Sequence, residues 1–205
     1  MLLVGSVLRR LLVYRRSLVS AWGKTRARLT YYPHISIGVG VTLGEGVRLV
    51  ATDGGRIDIG DHVTIHAGTL LQTRGGFITV GGGSFIGRHC TLVSTCEIRI
   101  GSNALVAEQV TIRDQQHGMA VGDCSFADQP ASAAPVCLAD NVWLAAGVRV
   151  TDGVVVGANT VVAANAVVTA DLQGGALYGG VPARKLKSLE LDTKVEAVPT
   201  RPDPC

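Results

Sequence analysis

Between Ile37 and Val168 one six-residue pattern recurs eighteen times: an aliphatic residue, usually a small or polar residue after it, and a small or β-branched residue four places on. The aliphatic anchors fall in triplets: Ile37, Leu43, Leu49; Ile59, Ile65, Leu71; Val80, Ile86, Leu92; Ile100, Val106, Ile112; Leu138, Leu144, Val150; and Val156, Val162, Val168. A hexapeptide period specifies a β-solenoid, in which each coil buries its apolar surface only by stacking on the next. Spacing departs from six only after a third repeat: after Leu49, Leu71 and Leu92, and at greatest length after Ile112. The pattern therefore predicts about six three-sided coils, with insertions leaving from one corner.

Composition suits a narrow prism. Hydrophobic residues make up 47% of the 205-residue chain but aromatic residues only 4%, so thin layers of Val, Leu, Ile and Ala must fill the interior. The net charge of the chain is +3, and both signs are spread thinly through the repeats. That argues against nucleic acid as a partner, because a nucleic-acid binder gathers cations and aromatics on one face.

The five cysteines, at 90, 96, 124, 137 and 205, have neither metal-ligand spacing nor the even count of a disulfide framework. Cys90 and Cys96 both fall at the small fourth-offset position of successive repeats and are expected to be inert buried side chains. A reducing cytoplasm is the expected location. The first residues are interrupted by Arg9, Arg10, Arg15 and Arg16, which fits neither a signal peptide nor a bilayer span.

Three stretches lie outside the repeat. Leu8, Leu11, Leu12, Leu18, Val19 and Trp22 share one helical stripe, so residues 1–30 are expected to hold a basic amphipathic helix. Such a helix can cap the first coil or lie on a membrane surface. Residues 118–137 read as a long corner loop, of a length that in a compact repeat is usually functional. The prism is expected over 35–172, followed by 173–205, where glycines and Pro182 suggest a turn, a short basic helix and a loose tail.

The repeats, IRDQQHG at 112–118, LADNVWLAAGVRVTDGVVVGANTVVAANAVVT at 138–169 and YGGVPARKLK at 178–187 together resemble the hexapeptide-repeat acyltransferases, specifically the sugar and polysaccharide O-acetyltransferase branch. The resemblance spans about residues 35–188. It implies an all-β, left-handed parallel β-helix; the hand comes from the resemblance alone, since ordinary crossovers favour the opposite one. It also implies a homotrimer with active sites between neighbours, acetyl-CoA as co-substrate, no metal, and a saccharide acceptor in bacterial surface polysaccharide or oligosaccharide synthesis. Antibiotic or serine O-acetylation and a non-catalytic trimeric scaffold are the alternative functions. Cytoplasmic assembly on lipid carriers would give the N-terminal segment a reason for peripheral membrane contact.

Carried over residue by residue, the resemblance makes His117 the general base. The ordinary pKa of histidine lies near neutrality, so a neutral imidazole can take a proton from an alcohol. Asp114 is the first candidate to orient it and Glu108 the second. Where related galactoside acetyltransferases carry an Asn and a substrate-binding Asp, this chain has Gly87 and Thr95; His89, Ser94 and Thr95 are the alternative polar contacts. Ala146 and Ala164 match positions along the pantetheine arm, Trp143 matches a recurring aromatic of the same coil that serves either as a cofactor contact or at the trimer contact, and Thr169, Arg184 and Lys187 match positions near the adenosine phosphates. Ala170 stands where a Lys is usual, so Lys185 is the substitute cation.

A zinc enzyme with the same prism, the γ-type carbonic anhydrase, pairs two histidine ligands five residues apart. No two of His62, His66, His89 and His117 are so spaced. His62 and His89, three places past an anchor, are expected at the surface or in turns.

Overall fold

The computed structural model describes residues 28–30 and 34–190. It is an all-β, left-handed parallel β-helix of about six coils with three sides. The eighteen anchors sort onto the sides in strict rotation. The first side pairs Ile37 with Ile59, and continues through Val80, Ile100, Leu138 and Val156. The second stacks Leu43, Ile65, Ile86, Val106, Leu144 and Val162, and the third stacks Leu49, Leu71, Leu92, Ile112, Val150 and Val168.

Alternation within each strand explains the register. In Arg56–Ile59 the burial runs exposed, buried, intermediate, buried, so Ile57 and Ile59 point inward while Arg56 and Asp58 meet solvent. A one-residue slip would put every aliphatic side chain outside. The fourth-offset residues complete the layers at the corners: Val63, Thr69, Cys90, Val110, Val148 and Ala166 have no exposed surface. Each fully buried aliphatic contributes about 1.5–3 kcal/mol, and truncating one such as Leu92 to Ala costs about 2–5 kcal/mol.

Corners turn through left-handed backbone. Between the first and second sides the φ>0 position is held by Gly40, His62, Gly83, Asn103, Asn141 and Asn159; between the second and third it is held by Gly46, Gly68, His89, Gln109, Gly147 and Asn165. His62 and His89 are thus turn residues, as expected from their offset. All insertions leave between the third and first sides, where Asp53 and Gly54 also turn left-handed.

The expected helix over residues 7–22 lies outside the described residues. Within the same N-terminal block, Arg28–Thr30 is a strand that pairs with Arg48–Val50 and so extends the third side by one rung. The expected C-terminal helix is corrected. Ala176–Gly179 adds in parallel to Val161–Val162, and Arg184–Ser188 turns back antiparallel to it, forming a hairpin. The open edge of Val161–Val162 offers backbone donors and acceptors that a strand satisfies and a helix does not. Gly180, at φ +95°, makes the reversal. A single basic helical turn would have had little intrinsic stability to set against that.

Candidate active site

The longest insertion begins where the third side of the fourth coil ends. Strand Thr111–Arg113 leads into Asp114, then Gln115–Gln116 pairs antiparallel with Ser132–Ala133 to form a neck. His117 stands at the top of that neck, exposed, and its ring makes no hydrogen bond with any described residue. Both ring nitrogens are therefore open to a ligand. Beyond it, the Gln129 side chain staples the loop: its Oε1 accepts from the Ala120 amide at 3.0 Å and its Nε2 donates to the Ala120 carbonyl at 2.8 Å.

Asp114 does not orient His117, and that expectation is corrected. Its side chain is fully buried and points at the preceding coil. There it accepts from Ser94 Oγ at 2.6 Å, from the Thr95 amide at 2.9 Å and from the Cys96 amide at 2.8 Å. These donors sit where the third coil turns its own corner, so the carboxylate substitutes for the rung that the insertion interrupts. Ser94 and Thr95, expected as substrate contacts, are drawn into the same lock. Gly87 has its own structural cause: a Cβ there would lie 2.5 Å from the Ala107 carbonyl carbon and 2.6 Å from the Glu108 amide nitrogen, so the Asn of relatives does not fit.

Glu108 is exposed, but at the other end of the third side, where Gly147 donates its amide to the Glu108 carbonyl. The extended chain from Val110 to Asp114 separates the two corners by roughly 13 Å at ~3.3 Å per residue. Glu108 and His117 of one chain are therefore not partners.

The expected donor-binding residues fall mostly on Glu108's side of the prism. Trp143 lies on the outer surface of the second side and is 45% exposed, stacked in register between Leu105 and Val161. Ala146 and Ala164 occupy the corner between the second and third sides in successive coils, joined by the Asn165 amide donating to the Ala146 carbonyl at 2.8 Å. Their side chains are small, so no bulky group stands at that corner in these two coils, and Arg184 and Lys187 are exposed on the terminal hairpin. A long thiol arm with a polyphosphate head would call for such a slim corner and such cations. Thr169 is exposed at the opposite corner, between the third and first sides, as His117 is. One chain thus presents His117 and the Ala146–Ala164 corner at opposite edges of one face.

Two other features bear on the site. The histidines are divided among corners, and among the described residues no three His, Cys, Asp or Glu side chains are grouped to hold a metal ion. Beside the neck, a cleft of about 180 Å³ is lined by Thr111, Arg113, Gln115, Gln116, Arg149, Val150, Thr151 and Asp152. Repeat spacing could have found it, because Thr111 pairs with Arg149 in register. The intervening insertion hides that adjacency in the linear sequence. Among the cysteines Cys90 is buried, whereas Cys96 is only half-buried, so the expectation of a buried Cys96 is corrected. Its amide donates to Asp114 Oδ2 at 2.8 Å.

Residues 138–170 match the family described as bacterial transferase hexapeptide (six repeats). The fold of the chain is similar to that of AntD, an N-acyltransferase from Bacillus cereus solved with dTDP-4-amino-4,6-dideoxyglucose and coenzyme A. The TM-score is 0.66 and the identity 22%, over 76% of this chain and 84% of that one. It is also similar to a maltose O-acetyltransferase from Clostridium difficile 630, at TM-score 0.54 and 24% identity over 78% and 73% of the two chains. The polySia-specific acetyltransferase NeuO matches at TM-score 0.52 and 18% identity over 85% and 91%.

Proposed function

We propose that this chain is an acetyl-CoA-dependent O-acetyltransferase that modifies a saccharide hydroxyl and works as a homotrimer. The observation that carries this reading is the division of the site: a free imidazole, His117, at one edge of the third side, and the slim Ala146–Ala164 corner, which would serve as the donor's channel, at the other. A second copy laid alongside would bring the channel of one chain to the imidazole of its neighbour. The same arrangement would let a neighbour's carboxylate, Glu108, reach the far ring nitrogen. Two solved neighbours of this fold support the substrate classes: AntD, in complex with a nucleotide sugar and coenzyme A, and the maltose O-acetyltransferase.

In the reaction, the neutral imidazole of His117 takes the proton of the acceptor hydroxyl as its oxygen attacks the thioester carbonyl. The C–O bond forms, giving a tetrahedral oxyanion, which backbone N–H groups stabilise. Collapse breaks the C–S bond, and the imidazolium returns its proton to the departing thiolate. No acyl-enzyme is required. Arg184 and Lys187, with Lys185, pair with the phosphates of the donor.

The protein acts in the cytoplasm, at the inner face of the membrane where surface polysaccharides are assembled. Thiol release from acetyl-CoA, screened against sugars, nucleotide sugars, serine and antibiotics, tests the proposal. Acceptor-dependent release with a sugar is expected. Release only with serine or an antibiotic would replace the acceptor class, and no acetyl-CoA binding by calorimetry would overturn the activity.

A further inference from the structure

The cleft beside the neck carries positive charge that the protein does not neutralise. Arg149 and Arg113 lie on the outer surface of the third side in adjoining coils, and Arg113 is one diagonal step from Arg149, because Thr111 is the residue directly opposite it. Arg149 Nη1 donates to the Gln109 carbonyl at 2.6 Å, which fixes the guanidinium but leaves its charge in place. Among the described residues the ion pairs are Arg56–Asp58 and Arg99–Glu97, and neither arginine of the cleft takes part in one. Asp152, the carboxylate in the lining, forms no ion pair with either. Thr111 and Gln116 add neutral donors around the same space, while the Thr151 hydroxyl donates to the Val168 carbonyl.

Two guanidinium groups with hydroxyl and amide donors between them are matched to an oxyanion, which accepts hydrogen bonds in several directions and is held bidentately by arginine. Gln116 lines the cleft and the next residue is His117. Three residues separate Arg113 from His117, so their Cα atoms lie within about 14 Å of each other. We infer that the cleft holds the acidic group of the acceptor, and that the acceptor is an anionic saccharide, phosphorylated or carboxylated on the acetylated sugar or its neighbour. This rests on the acetyl-transfer reading for the identity of the second substrate, but the anion site itself does not.

The other source of a phosphate is the acetyl donor, and the test separates the two. Calorimetry on the full chain would compare glucose 1-phosphate, glucuronate, methyl glucoside and acetyl-CoA, with Arg113→Gln beside the unaltered protein and Arg113→Lys as a charge-retaining variant. The expected result is binding of at least one acidic sugar about tenfold tighter than methyl glucoside, a difference of about 1.4 kcal/mol. Arg113→Gln is expected to abolish that preference, Arg113→Lys to restore part of it, and acetyl-CoA affinity to stay within twofold. Equal affinity for acidic and neutral sugars, or an Arg113→Gln loss confined to acetyl-CoA, would overturn the inference. Failure of the acetyl-transfer reading would appear instead as absent acetyl-CoA binding in the unaltered protein.

Discussion

Asp114 reaches back one coil to accept a hydrogen bond from Ser94 Oγ at 2.6 Å, three residues before the exposed His117. A buried carboxylate that also takes the Thr95 and Cys96 amides leaves those two donors without an acceptor when removed, while Ser94 Oγ can still donate to the Phe77 carbonyl at 3.0 Å. Asp114→Ala should therefore cost about 3 kcal/mol, mostly from the two part-buried amides left unpaired. For a chain of this size that is a fall in melting temperature of roughly 6–12 °C. Asp114→Asn keeps one acceptor oxygen and should fall less. Thermal unfolding of the two variants measures this, and an unchanged Asp114→Ala melting point would remove the corner-lock role.

His117 should behave in the opposite way. Its ring is exposed and makes no hydrogen bond to the described residues, so His117→Ala should leave the melting temperature within about 1 °C, as surface substitutions do. Turnover should drop ~10²- to 10⁴-fold, the usual contribution of a general base. Acceptor-dependent thiol release gives the rate. Activity near that of the unaltered protein would mean that another group takes the proton.

The contrast between these two residues also marks what could be read from the sequence. A period of six, with interruptions only after every third anchor, was enough to assign Ile59, Ile65 and Leu71 to three different sides, because burial alternates identically in every coil. His117 was singled out by the resemblance of IRDQQHG, and it stands where that period breaks. Asp114 was not, since the acceptor need it meets is created by the break itself, at Ser94–Cys96 one coil below, and appears only when the coils are stacked. The terminal hairpin was hidden for a related reason. Residues 184–188 are basic and exposed, and what makes them a strand is the open edge of Ala176–Gly179.

Gly87 offers a test of coil packing against ancestry. Restoring the Asn of related acetyltransferases at this position would place a Cβ 2.5 Å from backbone at Ala107. Backbone cannot yield as a side chain can, so Gly87→Asn should destabilise by about 1–3 kcal/mol rather than improve catalysis. Denaturant unfolding measures the loss, and an increase in stability would show that the coil contact is looser than described.

Cys90 reports on the same packing through its chemistry. Burial pushes its thiol above the ordinary range, although the backbone at Val110 and Gln109 pulls it down, and its Sγ–H donates to the Ala107 carbonyl at 3.0 Å. Thiolate is the reactive form, so a thiol reagent at pH 8 should label the exposed Cys124 at once and Cys90 only on unfolding. The linkage has a definite sign. The contribution of Cys90 is full below the unfolded thiol pKa and declines as pH rises towards the elevated folded value, because the unfolded chain releases the proton first. Site-resolved mass spectrometry checks the labelling, and rapid modification of Cys90 in the folded protein would contradict the closed interior.

The channel is tested where the chain presents least. Ala164 is exposed at the corner above Ala146, and the coils there are joined through backbone, the Asn165 amide donating to the Ala146 carbonyl. A large side chain added outward disturbs none of those bonds, so Ala164→Trp should melt as the unaltered protein does. It should nonetheless fill the path of the donor's arm and raise the KM for acetyl-CoA about tenfold or more with kcat little changed, the signature of lost uniform binding. Arg184→Ala should raise the same constant by removing a cation at the channel's end. If Ala164→Trp leaves that KM unaltered while Arg113→Gln raises it, the donor lies along the arginine cleft, and the two substrates exchange edges of the third side.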